Sequence, residues 1–188
     1  MRKLALFVEG QTERLFVQAL VESCAAECNV QIEARRGNGG RKFKRIYMEI
    51  DAKKLGTGED YFVLIIDSGS DEGVVSDIMD RFDDFVRENY AMIIGLRDVR
   101  PISIHEIEKL QTGMEASVAP LAGIPIEFYL SIMEVEAWFL AENTHFLRIA
   151  PELTEERITD ELGFFPNNKN VESREIPSAD LAAIYNIV

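Results

Sequence analysis

The sequence has few of the residues that most often build metal and nucleophilic sites. Its 188 residues include only two cysteines, two histidines and one tryptophan. Cys24 and Cys28 lie on one predicted helix with no histidine nearby in the sequence, which favours reduced cysteines over a zinc or redox site. His105 stands near a predicted helix start, where a surface position is favoured over a role as a catalytic base. No His, Cys or Ser set therefore offers catalysis without a metal ion.

Long hydrophobic runs are also absent. No apolar run approaches the roughly 18 residues that a membrane helix needs, and the first three residues lead directly into a short strand rather than into a signal peptide. We therefore expect a soluble, cytoplasmic protein with no membrane partner. The length fits one domain with a small extension, and 47% hydrophobic residues suffice for a core.

Positive charge is scarce overall but concentrated in one stretch, Arg35–Arg45. The net charge is -13, from 33 acidic and 20 basic residues, and an evenly acidic surface would repel nucleic acid. The glycines within this stretch, Gly37, Gly39 and Gly40, predict a mobile loop, and the following residues Phe43–Lys53 fit a helix. Two interpretations stay open: a loop that binds a nucleic-acid phosphate backbone, or a solvated connection. The six bases are Arg35, Arg36, Arg41, Lys42, Lys44 and Arg45.

Several apolar runs end near an acidic residue. The runs and their acids are Leu4–Val8 with Glu9, Tyr61–Ile66 with Asp67, Ala91–Leu96 with Asp98, and Ile124–Ile132 with Glu134. Such strands, alternating with helical segments, predict an α/β fold with a mostly parallel central sheet and helices on both faces. The carboxyl ends of parallel strands share one edge, where ligands bind. Carboxylates collected there would need a cation, and Mg²⁺ or Mn²⁺ suits such oxygen ligands.

Three stretches of the sequence resemble a known family. The stretch Val8–Glu13 (Val-Glu-Gly-Gln-Thr-Glu) resembles the first motif of the Toprim domain, found in topoisomerases, primases and OLD (overcoming lysogenization defect) nucleases. Asp67 matches the first acid of the Toprim Asp-x-Asp motif; the second acid here is Asp71, and Gly69 occupies its usual place. The stretch Glu134–Ala141 resembles Glu-x-Glu-Ala-Trp-x-Leu-Ala, so the chain is most similar to a bacterial family of Toprim-like proteins.

The resemblance implies a Toprim-like α/β domain over residues 1–141. The remaining residues, 142–188, are expected to form a helical extension packed on that domain. In the second half of the domain, Trp138 is predicted to be largely buried and to anchor a short helix on the sheet.

One function implied by the resemblance is enzymatic. The chain would be a metal-dependent nuclease or a related phosphoryl-transfer enzyme, in phage defence beside an ATPase partner. Glu9 would be an acid/base group or metal ligand, and Asp67 a catalytic metal ligand. Asp71, Glu134 and Glu136 are further candidate ligands for Mg²⁺ or Mn²⁺. Asp71 is equally consistent with a helix-capping acid, and of Glu134 and Glu136 one would face the site while the other caps or pairs.

The alternative function is a non-catalytic Toprim-like module that binds a partner protein, such as an ATPase, or a nucleotide. The altered Asp-x-Asp motif and the strong acidity support this alternative. Asp98 also leaves two interpretations open, because it either joins the strand-end acids or pairs with Arg97 or Arg100.

Overall fold

The computed structural model describes residues 1–25, 28–40, 43–167 and 171–188. None of the helices in these residues combines the length and apolar character needed to cross a membrane. The strands are β1 (Arg2–Val8), β2 (Val30–Gly40), β3 (Phe43–Leu55), β4 (Tyr61–Asp67), β5 (Met92–Asp98) and β6 (Ile126–Ser131). The α-helices are α1 (Gln11–Cys24), α2 (Asp71–Arg87), α3 (Ile107–Val118), α4 (Glu136–Ala141), α5 (Phe146–Ile149), α6 (Glu155–Leu162) and α7 (Pro177–Tyr185). Short 3₁₀ helices lie at Ile104–Glu106, Asn143–His145 and Val171–Ser173.

The six strands form one sheet in the order β3-β2-β4-β1-β5-β6. The pairs β1–β4, β1–β5 and β2–β4 are parallel, and β2–β3 is antiparallel. This arrangement confirms the predicted α/β class with a mostly parallel central sheet. Three of the predicted apolar runs are inner strands, β1, β4 and β5, because continuous apolar sequence suits strands covered on both faces, and the fourth run forms the edge strand β6.

Helices cover both faces of this sheet. On one face, α2 and α3 pack with alternate strand residues such as Phe7, Leu64 and Ile93 in a single core cluster. The intervening residues of β4, Val63 and Ile65, are also buried, and since successive strand residues point to opposite faces they belong to the other face. Helix α1 lies against β4 without contributing to the first cluster, as expected for the second face.

The stretch predicted as a mobile loop followed by a helix is instead a β-hairpin. Strand β2 extends to Gly40, and β3 runs antiparallel to it from Phe43 to Leu55 at one edge of the sheet. The register changes between Ala34 and Arg35, which leaves Ile50 unmatched as a bulge. The helix prediction for Phe43–Lys53 was wrong because pairing with β2 outweighs a weak local helical pattern.

The contacts divide the chain into two compact units. The first comprises Met1–Arg97 and Glu108–Leu130, and the second comprises Asp98–Ile107 and Ser131–Val188. The main segment of the second unit thus begins earlier than the boundary after Ala141 expected from the sequence. Its core is formed by side chains from helices α4 to α7 and their connections. These core residues are Leu140, Phe146, Leu153, Ile158, Val171, Leu181 and Ile184.

Helix α4 combines fully buried and largely buried side chains. Ala137 and Leu140 are fully buried, and Trp138 is in the intermediate range of exposure. The tryptophan is therefore mostly but not completely covered.

Candidate functional site

The first two predicted site acids follow neighbouring strands. In the parallel register of β1 and β4, Val8 lies beside Asp67, and the Ser68 N–H donates to the Val8 carbonyl at 2.8 Å. Glu9 follows Val8 directly, so Glu9 and Asp67 are placed at the same carboxyl edge of the sheet. The sequence pattern of apolar strands ending in acids was sufficient to locate this edge.

Asp67 is completely buried and both of its carboxylate oxygens accept a hydrogen bond. Arg36 on the adjacent strand β2 donates its Nε–H to Oδ2 at 2.8 Å, and the Gly69 N–H donates to Oδ1 at 3.0 Å. Arg36 and Asp67 lie opposite each other in the β2–β4 register, which fixes the contact. The guanidinium therefore balances the buried negative charge from within the protein.

Gly69 explains the departure from the Asp-x-Asp pattern. Its φ is +71°, in the left-handed region that glycine enters without strain, and its N–H closes a turn onto the side chain of Asp67. An aspartate at this position would be strained.

Asp71 is the first residue of α2, where a carboxylate interacts favourably with the positive end of the helix dipole.

A second buried acid lies near the same edge on α2. Asp77 is fully buried, and Arg45 of β3 donates its Nη2–H to Oδ2 at 2.8 Å, with Nε 2.6 Å from Oδ1. The same guanidinium also donates to the carbonyls of Ser68 and Gly39. Arg45 thus ties β3 to α2 and to the turn that follows Asp67.

Glu9 faces an arginine as well. Its Oε1 lies 3.9 Å from Nε of Arg97, near the end of β5, and both side chains are largely buried. The acids of the first unit are therefore set among arginines from neighbouring strands. This arrangement balances the carboxylate charges individually rather than collecting them around one point.

The remaining strand-end acids belong to the second unit. Asp98 accepts hydrogen bonds from the Ser131 hydroxyl and from the Val135 N–H at 3.1 Å. Glu136 is the first residue of α4, in keeping with an acid at a helix start.

Glu134 binds protein groups through both carboxylate oxygens. It accepts from Arg100 Nη1 at 2.6 Å and from the Ser178 N–H at 2.8 Å. Burial raises the pKa of Glu134, but the hydrogen bonds from Ser178 and Arg100 outweigh burial and leave that pKa below its ordinary value.

The basic residues predicted to contact nucleic acid make internal ion pairs wherever their side chains are described. Arg35 pairs with Glu33, and Arg36 and Arg45 pair with Asp67 and Asp77. The remaining candidates, Arg41, Lys42 and the side chain of Lys44, lie outside the described part of the chain.

The donor set does not fit a bound Mg²⁺ or Mn²⁺ ion. Within the described ranges, no group of three or more His, Cys, Asp or Glu side chains is placed to hold a metal ion. Both oxygens of Asp67 already accept hydrogen bonds from Arg36 and Gly69. A metal ion that needs several free carboxylate oxygens would have to displace these donors.

The arginine partners were not predicted from the sequence. Arg36 and Arg45 were assigned to a loop, and Asp77 was not among the candidate site residues. One signal was present, because Asp77 lies between Val74 and Ile78 on the apolar side of α2, where an acid needs a partner. The identity of that partner depends on the hairpin, which the sequence pattern missed.

The chain was also compared with known proteins. No protein-family model matches it, and no curated protein or solved structure is similar to it. The Toprim resemblance therefore rests on the three sequence motifs.

Proposed function

We propose that this chain is a non-catalytic binding module and that strand β3 is its protein-binding surface, which pairs with a second copy of the chain. The proposal is supported by two features of the first unit. Its buried acids are neutralised by arginines, and β3 presents an apolar stripe at an open sheet edge. The stripe is the observation that carries the proposal.

The stripe consists of three large apolar side chains at alternating positions. Ile46, Met48 and Ile50 are 60%, 58% and 46% exposed. Tyr47, between the first two, packs against the core on the opposite face. Edge strands of proteins that stay apart usually carry charges or proline at such positions, so an exposed stripe at an edge indicates an interaction surface.

Helix α1 extends this surface next to β3. Gln18 donates to Asp51 at 2.8 Å, and Lys53 donates to Glu22 at 2.6 Å, which place this side of α1 beside the strand. Leu15 lies one turn before Gln18 on the same side and is half exposed. The apolar surface therefore includes a helix residue in addition to the stripe.

The order of residues in β3 makes a second copy its natural complement. The stripe reads Ile-x-Met-x-Ile in both directions. In an antiparallel pair centred on Met48, each Ile46 would lie opposite Ile50 of the second copy. Such pairing satisfies the open backbone groups of the edge and brings the stripes of the two copies side by side on one face of the joined sheet.

Sedimentation equilibrium of the purified chain tests this proposal. We expect a dimer for the wild type and a monomer for Met48→Lys, since two lysines would meet at the two-fold axis. Loss of about 1 kcal/mol of apolar burial from each copy, together with the like-charge contact, should raise the dimer Kd roughly 30- to 150-fold. Met79→Lys is the matched control, because Met79 is also about half exposed but lies on α2.

Two results would count against the proposal. One is a wild-type chain that stays monomeric at about 100 μM, a concentration at which a Kd near 10 μM gives mainly dimer. The other is an equal change in Kd for Met48→Lys and Met79→Lys, which would place the contact elsewhere.

A second candidate function is the metal-dependent nuclease implied by the resemblance. Such a nuclease would act with an ATPase partner in phage defence. One observation favours it, namely that Glu9 and Asp67 follow neighbouring strands at the same edge. The test is cleavage of DNA and RNA with Mg²⁺ or Mn²⁺ by the wild type and by Asp67→Asn. Cleavage by the wild type that Asp67→Asn abolishes, with the fold retained by circular dichroism, would establish the nuclease over the non-catalytic module.

A further inference from the structure

The first unit contains a cavity whose wall carries three basic residues. The cavity has a volume of about 240 Å³ and is lined by residues of β1, β2, β4 and α2 and of the segment between α2 and β5. Lys3, Arg35 and Arg81 all line it. In a chain with a net charge of -13, three bases around one small cavity indicate a local preference for anions.

Arg81 is held in place by two aromatic rings. Its guanidinium carbon lies 4.6 Å from the ring centre of Tyr47 and 4.8 Å from that of Phe85. The Nη1 atom is buried and has no hydrogen-bond partner among the residues that the structure describes. A guanidinium stacked in this way keeps its N–H donors at its edge, where they can bind two oxygens of a carboxylate or phosphate.

Arg81 is the principal hydrogen-bond donor available to a ligand, because the other two bases of the wall already have acidic neighbours. Arg35 is paired with Glu33, and Lys3 lies 3.9 Å from Glu88, an exposed acid that also lines the cavity. An ion pair with an exposed acid at that distance contributes little, so Lys3 remains able to interact with a ligand. Glu88 is the one acid on the wall, and it limits the net positive charge.

The rest of the wall suits the body of a small organic anion. Phe62 and Leu64 supply apolar surface, and Tyr90 lines the cavity beside them. Burial raises the pKa of Tyr90 to about 12, so its phenol remains protonated near neutral pH and can donate a hydrogen bond. The volume lies slightly below the range of about 300–1,000 Å³ found for drug-sized ligands, which favours a small ligand.

We propose that this cavity binds a small molecule through its oxyanion group, a phosphate or a carboxylate, with Arg81 as the main ligand-binding residue. Lys3 would add charge, and Tyr90 would donate to the same group or to its neighbour. The proposal is independent of whether β3 pairs with a second copy.

NMR titration of the ¹⁵N-labelled chain with inorganic phosphate, phenyl phosphate and benzoate tests the proposal. The last two probes share one ring and differ in the oxyanion, so the tighter binder identifies the class. We expect shifts at the Arg81 side-chain N–H and at Tyr90. Arg81→Met should weaken binding about 10- to 100-fold, as expected for losing charge-assisted hydrogen bonds. Arg87→Met should change it less than about twofold, since Arg87 is exposed on the same helix and pairs with Asp84.

Arg81→Lys provides a second variant in case Arg81→Met does not fold, which circular dichroism would show. Lysine keeps the charge but lacks the planar fork, so the affinity should be lower than that of the wild type. The proposal is overturned if none of the probes shifts the cavity residues at about 10 mM, ten times a Kd of 1 mM. It is also overturned if a folded Arg81 variant binds as tightly as the wild type.

Discussion

Removal of Arg36 tests how the buried charge of Asp67 is balanced. In Arg36→Met, Asp67 would keep its hydrogen bond from Gly69 and lose its only described ion pair. Breaking a buried pair costs about 3–5 kcal/mol, but Arg36 is about half exposed, so water can replace part of its role. We therefore expect a loss of about 2–3 kcal/mol in the free energy of unfolding, or about 5–10 °C in Tm.

Urea unfolding followed by circular dichroism measures this loss. Lys54→Met is the control, since Lys54 lies on β3 in an exposed ion pair with Glu59, and its removal should change stability by less than about 0.5 kcal/mol. Adding Asp67→Asn to Arg36→Met should recover stability, because it removes the uncompensated charge. A double variant that is less stable than Arg36→Met, or an Arg36→Met variant as stable as the wild type, would refute the reasoning.

Three further predictions follow from individual side chains. The pKa of Glu134 is lowered, so its contribution to stability is present above the ordinary value of 4.5 and is lost as the pH falls through the folded-state pKa. Between pH 7 and pH 3, the urea midpoint of Glu134→Gln should therefore fall less than that of the wild type. Burial raises the pKa of Tyr47 and Tyr90 to about 12, so stability should fall as the pH rises above 10.0. Phenolate absorbance should show these two of the five tyrosines ionising last, and Tyr90→Phe should reduce the fraction that ionises last. Trp138→Ala should destabilise the chain by less than the 3–5 kcal/mol of a fully buried tryptophan, because Trp138 is only partly buried; a loss in the full range, measured by urea unfolding, would contradict this.

Three of the four inner strands of the sheet, β1, β4 and β5, could be predicted from the sequence because burial on both faces requires apolar residues at successive positions. The runs that became these strands are nearly continuous stretches of apolar residues. Each ends near an acid, which also located the carboxyl edge. For these elements, local composition and final environment agree.

The hairpin could not be predicted because the local composition of its two strands does not indicate that they pair with each other. In Phe43–Leu55 the residues Ile46, Tyr47 and Ile50 also fit a helical spacing, and lysine, methionine and glutamate are good helix formers. The glycines before it suggested a loop, yet Gly37–Gly40 continue strand β2. Pairing between distant segments decided the outcome.

The candidate site was predicted only in part for the same reason. The acids at the strand ends were identified, but their partners were not, since Arg36 and Asp67 are far apart in the sequence and meet only through the β2–β4 register. Because the arginine partners were not identified from the sequence, the clustered carboxylates were expected to bind a metal ion. With the arginines in place, each acid has a protein partner of its own.

Calorimetric titration of the chain with Mn²⁺ tests the central claim most directly. Asp67 accepts hydrogen bonds from Arg36 and Gly69, and we infer that it is not a metal ligand. We therefore expect no saturable heat of binding, and no rise in Tm in the presence of the ion, for either the wild type or Asp67→Asn. Saturable Mn²⁺ binding by the wild type that disappears in a folded Asp67→Asn variant would contradict this inference and favour the metal-dependent enzyme.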